Sequence, residues 1–297
     1  MTTDEHAERF TLLRPLLFTI AYEILGSATE SDDVLQDSYL RWASVDLARV
    51  RDTKSYLARL VTRHALNTLR ARGRRREDYV GPWLPEPLLL DDHDASADLV
   101  LAESVSMAML VLLETLSPDE RAVFVLREVF GFNHHEIAAA VGKTESAVRQ
   151  VAHRARSHVR ARRKRFEPAD AETTERITEQ FLTAAATGDL DGLLALLSPD
   201  VVWTADSGGK ATAARRPIVG AERVSRVMVE LFHRQPPNVR IETANCNSAP
   251  ALLAYRDERL EGVFLIEFAD GRITGLYAVR NPDKLVSLAV PRQVSRN

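Results

Sequence analysis

The stretch "GFNHHEIAAAVGKTESAVRQVAHRARSHVRARRKR", residues 131–165, carries the pattern that decides the fold of its part of the chain. Asn133 precedes a short apolar helix, and Glu136 follows it at the spacing of a capping box. Gly142 is expected to end that helix, and Thr144 stands where the cap of the next helix is expected. Two helices joined by a short turn that contains glycine form a helix-turn-helix, so the pattern predicts a DNA-binding helical domain.

The second helix of this pair presents polar and basic side chains on its outer side. Arg and Gln can hydrogen-bond base edges in the major groove, so Arg149 and Gln150 are assigned to bases, and Arg154 and Arg156 to phosphates. The basic run at 160–165 would add salt-sensitive, non-specific attraction. The alternative is a helical hairpin whose outer helix is merely charged. The full set of candidates for DNA contacts is Thr144, Ser146, Arg149, Gln150, His153, Arg154 and Arg156.

The net charge of -3 hides an uneven distribution of charge along the chain. Residues 121–165 hold 11 Lys or Arg and 3 Asp or Glu, whereas residues 77–120 hold 11 acidic residues and no Lys or Arg. Residues 1–76 hold 13 basic and 10 acidic residues. Two basic blocks with an acidic one between them predict two nucleic-acid contacts, joined by a segment that avoids or mimics nucleic acid.

Several kinds of protein are disfavoured by the composition. No run approaches the roughly 18 apolar residues of a membrane span, and the first residues lack a signal-peptide pattern. Cys246 is the only cysteine, which leaves no intrachain disulfide and no cysteine cluster for zinc. The pair His135 and Glu136 lacks the second histidine of the zinc-protease motif, because residue 139 is alanine. We therefore expect a cytoplasmic protein with no membrane partner, no metal site and no cofactor.

The first 76 residues predict three helices. Gly26 is expected to close the first helix, and Ser31 to cap the second, with two aspartates in its first turn. The third covers residues 52–76 and carries a face without acidic residues, which indicates either a solvated surface or a contact for nucleic acid. The side chains on that face are Arg59, Arg63, Asn67, Arg70 and Arg74.

Residues 77–104 read as a linker rather than as one regular element. Pro82, Pro85 and Pro87 are followed by a run of aspartates, which no single helix or strand accommodates. Tyr79, Trp83 and Leu84 nevertheless give this linker apolar surface to bury.

In this order, the segments resemble the two conserved domains of bacterial sigma factors, in particular the small extracytoplasmic-function class. "SDDVLQDSYLRW", residues 31–42, resembles the region 2 helix that binds the clamp helices of the polymerase beta-prime subunit. Residues 55–76 resemble the part of region 2 that melts and captures the promoter -10 element. "LSPDERAVFVLREVFGFNHHEIAAAVGKTESAVRQVAHRAR", residues 116–156, resembles region 4, which reads the -35 element. The similarity covers residues 10–76 and 106–162.

The resemblance implies a sigma factor and not an enzyme. It implies that core RNA polymerase, through its beta-prime clamp helices and beta flap, and promoter DNA are the partners. The basic face of residues 52–76 would contact the -10 element, and the acidic linker would run through the active cleft and RNA exit channel of the polymerase. The implied polymerase-docking residues, some of whose apolar members must be core, are Asp32, Asp33, Leu35, Gln36, Asp37 and Trp42.

The C-terminal part, from about residue 172, predicts a different, α+β domain. Helices are followed by a strand with Trp203, a further helix and an antiparallel sheet with a hairpin at Asp270-Gly271. Its opening resembles SnoaL-like members of the NTF2 superfamily, a cone-shaped fold that hosts isomerases, cyclases and binding modules. A small ligand in the cone stays an open alternative. So does catalysis with Asp206 or Glu267 as base, for which His233 is the only histidine after residue 158.

Three short motifs resemble signatures of the sigma factors that carry a fused SnoaL-like domain, group forty-one of the extracytoplasmic-function class. They are "WLPEP" at 83–87, "DSGGK" at 206–210, where Ser207 replaces the usual glycine, and "NPDKL" at 281–285. The resemblance implies regulation in cis, in place of a separate anti-sigma factor, and we expect the tail to dock on region 2 near these motifs. The interdomain candidates are Trp83, Leu84, Pro85, Glu86, Pro87, Asp206, Gly208, Gly209, Lys210, Asn281, Pro282, Asp283, Lys284 and Leu285.

The expected architecture is therefore multidomain. Two all-α domains at 1–76 and 105–165, the second a helix-turn-helix, are joined by the acidic linker at 77–104 and followed by an α+β NTF2/SnoaL-like cone at 170–290. Two alternatives remain open for the whole protein. One is a promoter-binding repressor or activator, and the other is a cone-fold enzyme with a DNA-binding appendage.

Overall fold

The computed structural model describes residues 2–72, 79–90, 98–162, 171–234, 236 and 238–296. The N-terminal half is helical, and among the described residues no helix is long and apolar enough to span a membrane. Its helices are α1 (Thr2–Leu25), α2 (Ala28–Trp42), α3 (Thr53–Arg72), α4 (Leu99–Ser104), α5 (Met107–Leu113), α6 (Pro118–Phe124), α7 (His134–Val141) and α8 (Glu145–Arg162).

The boundary between α1 and α2 confirms one cap prediction and overturns another. Gly26 ends α1 with a φ of 66°, the left-handed conformation that glycine adopts without strain. Ser27, not Ser31, caps α2, because the Ser27 side chain accepts a hydrogen bond from the backbone N–H of Glu30. Ser31 lies buried one turn inside α2, where its hydroxyl donates to the Ser27 carbonyl at 2.6 Å. The prediction was wrong because Ser27 and Ser31 lie one turn apart and acidic residues follow both, so either could cap a helix. The helix uses Ser27, which follows Gly26 directly.

The two helical blocks share one hydrophobic core. Leu17 and Val61 of the first block and Val123 and Ile137 of the second are fully buried in the same cluster. Arg121 is buried between the blocks, and its Nε donates to the main-chain carbonyl of Glu23 at 2.8 Å. The basic blocks that the sequence separates by an acidic stretch therefore pack directly on each other.

The C-terminal half is an α+β unit with a six-stranded sheet in the order β2-β1-β6-β5-β4-β3. β1 and β6 are parallel, and the other neighbours are antiparallel. The predicted hairpin at Asp270-Gly271 joins β5 and β6, with φ values of 53° and 69°. The elements are α9 (Ala171–Thr187), α10 (Leu190–Leu196), β1 (Leu197–Asp206), β2 (Ile218–Val219), α11 (Ala221–His233), β3 (Val239–Cys246), β4 (Ala249–Arg256), β5 (Arg259–Ala269), β6 (Arg272–Val279) and α12 (Pro282–Leu285).

Both faces of this sheet are buried. Successive side chains of a strand point to opposite faces, and β5 shows the consequence. Ile266 packs with Phe181 of α9 on the inner face. Leu265 packs on the outer face with Leu84 of the linker and Met107 of α5. The sheet therefore lies between its own helices on one side and the linker and helical half on the other.

The linker from residue 79 to 90 is extended and pairs with the edge of the sheet. Leu89 forms a bridge with Cys246 at the end of β3. The Leu90 amide donates to the Asn245 carbonyl at 3.2 Å, and the Asn247 amide donates to the Leu88 carbonyl at 3.0 Å. The linker thus extends the sheet by a short strand beyond β3.

Candidate nucleic-acid interface and interdomain junction

The predicted helix-turn-helix is formed by α7 and α8. Asn133 and Glu136 cap α7 reciprocally, each side chain accepting from the other residue's backbone N–H at 2.9 Å. Gly142 closes α7 with a φ of 71°. The Thr144 hydroxyl accepts from the Ala147 N–H at 3.2 Å, which caps α8. The local chemistry of the sequence therefore positions both helices.

The outer side of α8 is solvent-exposed, as a DNA-reading helix requires, while the apolar stripe of residues 148–159 faces the core. Arg149 makes an exposed ion pair with Glu145, one turn earlier, at 2.6 Å. Arg154 pairs with Glu120 at 3.4 Å. Arg156, which is less exposed, pairs with Glu128 at 2.6 Å, which raises the pKa of Arg156. Arg156 is thus partly engaged within its own domain. The exposed candidates are Thr144, Ser146, Arg149, Gln150, His153 and Arg154.

The predicted basic face of α3 is also present. Arg59, Arg63, Asn67 and Arg70 are exposed along it, and Arg74 lies outside the described residues. The last three of these exposed side chains line a cleft of about 370 Å³. The end of α7, at residues 140–142, forms the opposite wall of that cleft. The basic face of α3 therefore faces the helix-turn-helix in this arrangement.

One carboxylate of α6 connects the two basic surfaces. Asp119 pairs through Oδ1 with Nη2 of Arg70 at 2.5 Å and through Oδ2 with Nζ of Lys143 at 2.9 Å. Partial burial acts to raise the pKa of Asp119, but the hydrogen bonds and charges of Lys143 and Arg70 outweigh it and lower the pKa. We call this three-residue contact the Asp119 latch. It occupies one candidate DNA-binding side chain of α3 and one residue of the helix-turn-helix turn.

The candidate polymerase-docking face on α2 is acidic and largely exposed. Asp33, Gln36 and Asp37 are exposed, and Asp32 is half-buried in the second turn. Leu40, which the sequence analysis did not include, is 64% exposed one turn beyond Gln36. This face therefore combines carboxylates with one apolar side chain.

Leu35 and Trp42 do not belong to that exposed face, and they are the apolar members of the candidate set that lie in the core. Both are fully buried, since they lie two turns apart on the side of α2 that packs on α1 and α3. The Trp42 indole donates to the His6 carbonyl at 2.9 Å and stacks edge-on against the His6 ring. These two residues hold α2 in place.

The three sequence motifs converge on the carboxylate of Asp206, which is fully buried at the end of β1. Asp206 accepts hydrogen bonds from the Leu84 N–H at 2.7 Å, from the Lys284 ammonium at 2.6 Å and from the Tyr79 hydroxyl. Lys284 also donates to the Leu84 carbonyl. We call this set the Asp206 junction, and it joins the linker, β1 and α12.

The junction extends to α3 through Trp83. The Lys284 ammonium lies 3.9 Å from the centre of the Trp83 ring, and the guanidinium carbon of Arg72 lies 4.2 Å from it. Both are cation–π contacts. Burial lowers the pKa of Lys284 to about 8, against the opposing effect of its pairing with Asp206. One aromatic ring therefore connects a cation of the C-terminal half to a cation of α3.

Glu86 anchors the linker to the corner between α1 and α2. Its carboxylate accepts from the Ser27 hydroxyl at 2.7 Å and from the Thr29 N–H at 3.0 Å. Its backbone N–H donates to the Gly26 carbonyl at 2.9 Å, and its carbonyl accepts from the Tyr22 hydroxyl at 2.7 Å. The prolines on either side of Glu86 are buried. The middle of the first motif is therefore fastened to region 2.

The second motif forms a tight turn that only glycine fits at two positions. Gly208 and Gly209 have φ values of 55° and 75°, and the Lys210 N–H closes the turn on the Ser207 carbonyl at 2.9 Å. A Cβ on Gly208 would lie 2.6 Å from the side chain of Asn281. Ser207 is tolerated in place of glycine because the left-handed positions are the two that follow it.

The third motif begins α12. Asn281 caps the helix by accepting from the Asp283 N–H at 3.1 Å, and Pro282 occupies the first turn. Leu285 is buried with the outer face of the sheet. Asp283 pairs with Lys210 of the second motif on the surface. The predicted interdomain residues are therefore brought together, some in the buried junction and others at its exposed edge.

Comparison with known proteins identifies the family. Residues 10–75 match the model of sigma-70 region 2, residues 106–159 that of sigma-70 region 4, and residues 178–276 that of the SnoaL-like domain. Over 287 residues the chain is 35% identical to the ECF RNA polymerase sigma factor SigJ of Mycobacterium tuberculosis, covering 93% of this chain and 91% of that protein. This chain belongs to the extracytoplasmic-function sigma factors.

Two further comparisons agree with this membership. This chain is 29% identical to the probable ECF RNA polymerase sigma factor SigI of Mycobacterium tuberculosis, and the match covers 92% of each chain. The crystal structure of Mycobacterium tuberculosis SigJ matches with a TM-score of 0.75 at 32% identity, covering 95% of this chain and 99% of that one. The protein is therefore a sigma factor for promoter-specific transcription initiation, with RNA polymerase and promoter DNA as partners, and the alternative of a cone-fold enzyme is wrong.

The residues considered for catalysis have other surroundings in this sigma factor. Asp206 is enclosed by the junction. His233 is exposed at the end of α11 and contacts the Val229 carbonyl at 2.8 Å, while Glu267 accepts from the Tyr277 hydroxyl at 3.0 Å. A groove of about 480 Å³ in the SnoaL-like domain lies open beside the first residues of β1 and α11. The structure does not bring the three candidate residues together.

Sequence reasoning missed Asn247, which joins three parts of the sigma factor. It is fully buried and has a φ of 55° in the turn between β3 and β4. Its Oδ1 accepts from the Leu88 N–H, and its Nδ2 donates to the Tyr22 hydroxyl and the Val105 carbonyl, each at 2.8 Å. An asparagine between two strand-like runs marks a turn, but its distant partners leave no local pattern.

Proposed function

We propose that this sigma factor contacts the -10 element through α3 and the -35 element through α8, and that its SnoaL-like domain regulates both contacts in cis. The observation that carries the proposal is the Asp206 junction. Trp83 of that junction touches Arg72 of α3, two residues after Arg70 of the basic face. A change in the SnoaL-like domain therefore has a direct route to the promoter-facing helix.

The residue assignments follow from exposure and charge. We assign Arg149 and Gln150 to -35 bases and Arg154 to phosphate, and Arg59, Arg63, Asn67 and Arg70 to the -10 strand, whose unpaired bases are held by stacking and basic side chains. We assign polymerase docking at the beta-prime clamp helices to Asp32, Asp33, Gln36 and Asp37, and docking at the beta flap to region 4. We propose the cytoplasm, where the polymerase acts, as the site of action.

The present arrangement supports a closed form that must open before promoter binding. The basic face of α3 faces α7 across a narrow cleft, and the Asp119 latch places a carboxylate where DNA would offer a phosphate. Asn247 contacts both helical blocks, so the SnoaL-like domain stabilises their association. A tethered domain acts at an effective concentration of about millimolar, so we propose that no separate anti-sigma factor is required.

The experiment is in vitro transcription with core polymerase on a promoter selected by the full-length protein from a random-sequence library. Trp83→Leu removes the cation–π contacts with Arg72 and Lys284 and leaves the hydrogen bonds of Asp206 in place. We expect run-off transcript to change by roughly threefold or more, since each such contact is worth about 0.5–2 kcal/mol. Val80→Ala, at an exposed position of the same linker, is the control and should transcribe as the parent does. Equal transcription by parent and Trp83→Leu would show that the junction does not regulate initiation.

A further inference from the structure

Residues 290–296, which we call the C-terminal strap, continue past the SnoaL-like domain and lie across region 2. Val294 is 3% exposed and is part of the core that the two helical blocks share. The Ser295 N–H donates to the Thr19 hydroxyl of α1 at 3.0 Å. Arg296 forms an ion pair with Asp98, just before α4. The strap is therefore held by α1, by the residue that precedes α4 and by the core that the two helical blocks share.

Arg292 of the strap engages Asp32 in the second turn of α2. Its guanidinium pairs with Asp32 through two contacts, Nη2 to Oδ2 at 2.7 Å and Nη1 to Oδ1 at 3.3 Å. Its guanidinium carbon also lies 5.4 Å from the centre of the Phe18 ring. The Arg292 side chain is 26% exposed and that of Asp32 30%, so the pair lies at the surface rather than in the core.

Asp32 adjoins the exposed carboxylates of the candidate polymerase-docking face. Asp33 follows it directly, and Asp37 lies further along the exposed side of α2. Arg14 of α1 also pairs with Asp32, at 3.1 Å. A polymerase surface that recognises this acidic face must bring positive charge, and Arg292 already supplies such charge from within the chain.

We propose that the C-terminal strap competes with core RNA polymerase for the second turn of α2. The inference rests on the proposed docking of polymerase on α2, and it adds a second means of control that is separate from promoter contact. The strap can be displaced because a partly exposed ion pair is weak and is screened by salt. It is also connected to the linker, since the Arg292 N–H donates to the Leu89 carbonyl at 2.8 Å.

The test measures binding of labelled full-length sigma factor to purified core polymerase. Arg292→Ala should bind roughly two- to fivefold more tightly than the parent, the size expected for a partly exposed ion pair, and the difference should shrink as salt is raised. Gln293→Ala, at the exposed neighbouring position of the strap, should bind as the parent does. Equal or weaker binding by Arg292→Ala would overturn the proposal.

Two further measurements separate this inference from the proposed docking face. Asp37→Lys should weaken binding to core polymerase. Unchanged binding by this variant would contradict both docking on α2 and competition by the strap. Weaker binding by Asp37→Lys together with unchanged binding by Arg292→Ala would contradict the strap proposal alone. Hydrogen exchange at the Ser295 amide should become faster in the complex with core polymerase, because its bond to Thr19 is lost when the strap leaves. Unchanged or slower exchange there contradicts displacement.

Discussion

The Asp206 junction and the Asp119 latch each hold parts of the chain together through a carboxylate, but their surroundings are opposite. Asp206 is fully buried, and Lys284, its ionic partner, is 5% exposed. The side chain of Asp119 is 28% exposed, and those of Arg70 and Lys143 are 47% and 33% exposed. Removing one partner of a buried pair leaves an uncompensated charge in the interior, whereas an exposed pair contributes little and weakens with salt.

The difference suggests a division of roles. The junction is suited to keep the SnoaL-like domain attached to region 2 under all conditions, because breaking it is costly. The latch is suited to release, because two long exposed cations can exchange a carboxylate for phosphates at small cost. Release of the latch can therefore free Arg70 and Lys143 while the tail stays attached.

The largest expected effect comes from removing the cation of the junction. Lys284→Met leaves Asp206 buried without its ionic partner, and we expect a loss of about 3–5 kcal/mol in the free energy of unfolding. Lys210→Met removes a surface partner of Asp283 and should cost less than about 1 kcal/mol. Urea unfolding of both variants measures the contrast. Similar losses in both would remove the distinction between junction and surface pair.

A third carboxylate, Glu23, makes the packing of region 2 on region 4 depend on pH. Burial raises the pKa of Glu23 to about 8, because its bonds with Ser104 and the charge of Arg121 do not compensate. Between about pH 4.5 and pH 8 the folded chain keeps the Glu23 proton, whereas the unfolded chain has released it. The free energy of unfolding therefore falls as pH rises from about 4.5 to 8 and is constant above that range.

Replacing the Glu23 carboxylate tests the direction of this pH dependence. Glu23→Gln keeps a neutral side chain at all pH values and should flatten this decline, by up to a few kcal/mol near pH 8. Unfolding midpoints of parent and variant between pH 5 and pH 8 measure the difference. Parallel curves would mean that Glu23 is ionised in the folded chain across this window.

The smallest expected effect concerns the latch. Asp119→Asn removes the charge that holds Arg70 and Lys143, and promoter DNA should bind roughly two- to fivefold more tightly at low salt, with stability changed by less than about 1 kcal/mol. Asp283→Asn changes the net charge equally at an exposed site away from the latch and is the matched control. Fluorescence anisotropy with a promoter duplex measures both, and weaker DNA binding by Asp119→Asn would contradict a closed form.

The features that the sequence predicts well are those that depend on residues close to each other along the chain. The caps at Asn133 and Thr144, the turn at Gly142 and the hairpin at Asp270-Gly271 are each decided by a few adjacent residues, and all form as predicted. The motif residues were recognised through resemblance to a family, and not through any local rule that would place three distant segments at Asp206.

What the sequence did not reveal depends on partners far along the chain. The side chain of Asn247 binds Tyr22, 225 positions earlier, and Arg292 binds Asp32, 260 positions earlier. Neither pairing produces a periodic pattern in the sequence. For a related reason the sequence did not show that Leu35 and Trp42 are the core members of their set, since a resemblance identifies a helix but not which of its sides packs on α1 and α3.

The pairing of the linker with β3 has a consequence for solubility. A free sheet edge is a template for pairing with another chain, and the linker covers the end of this edge near Asn245. If opening of the chain draws residues 88–90 away from β3, that edge is uncovered while the Asp206 junction still holds the tail. An opened molecule that has lost its polymerase would then be the species that self-associates, so the closed form also protects the sigma factor while it is idle.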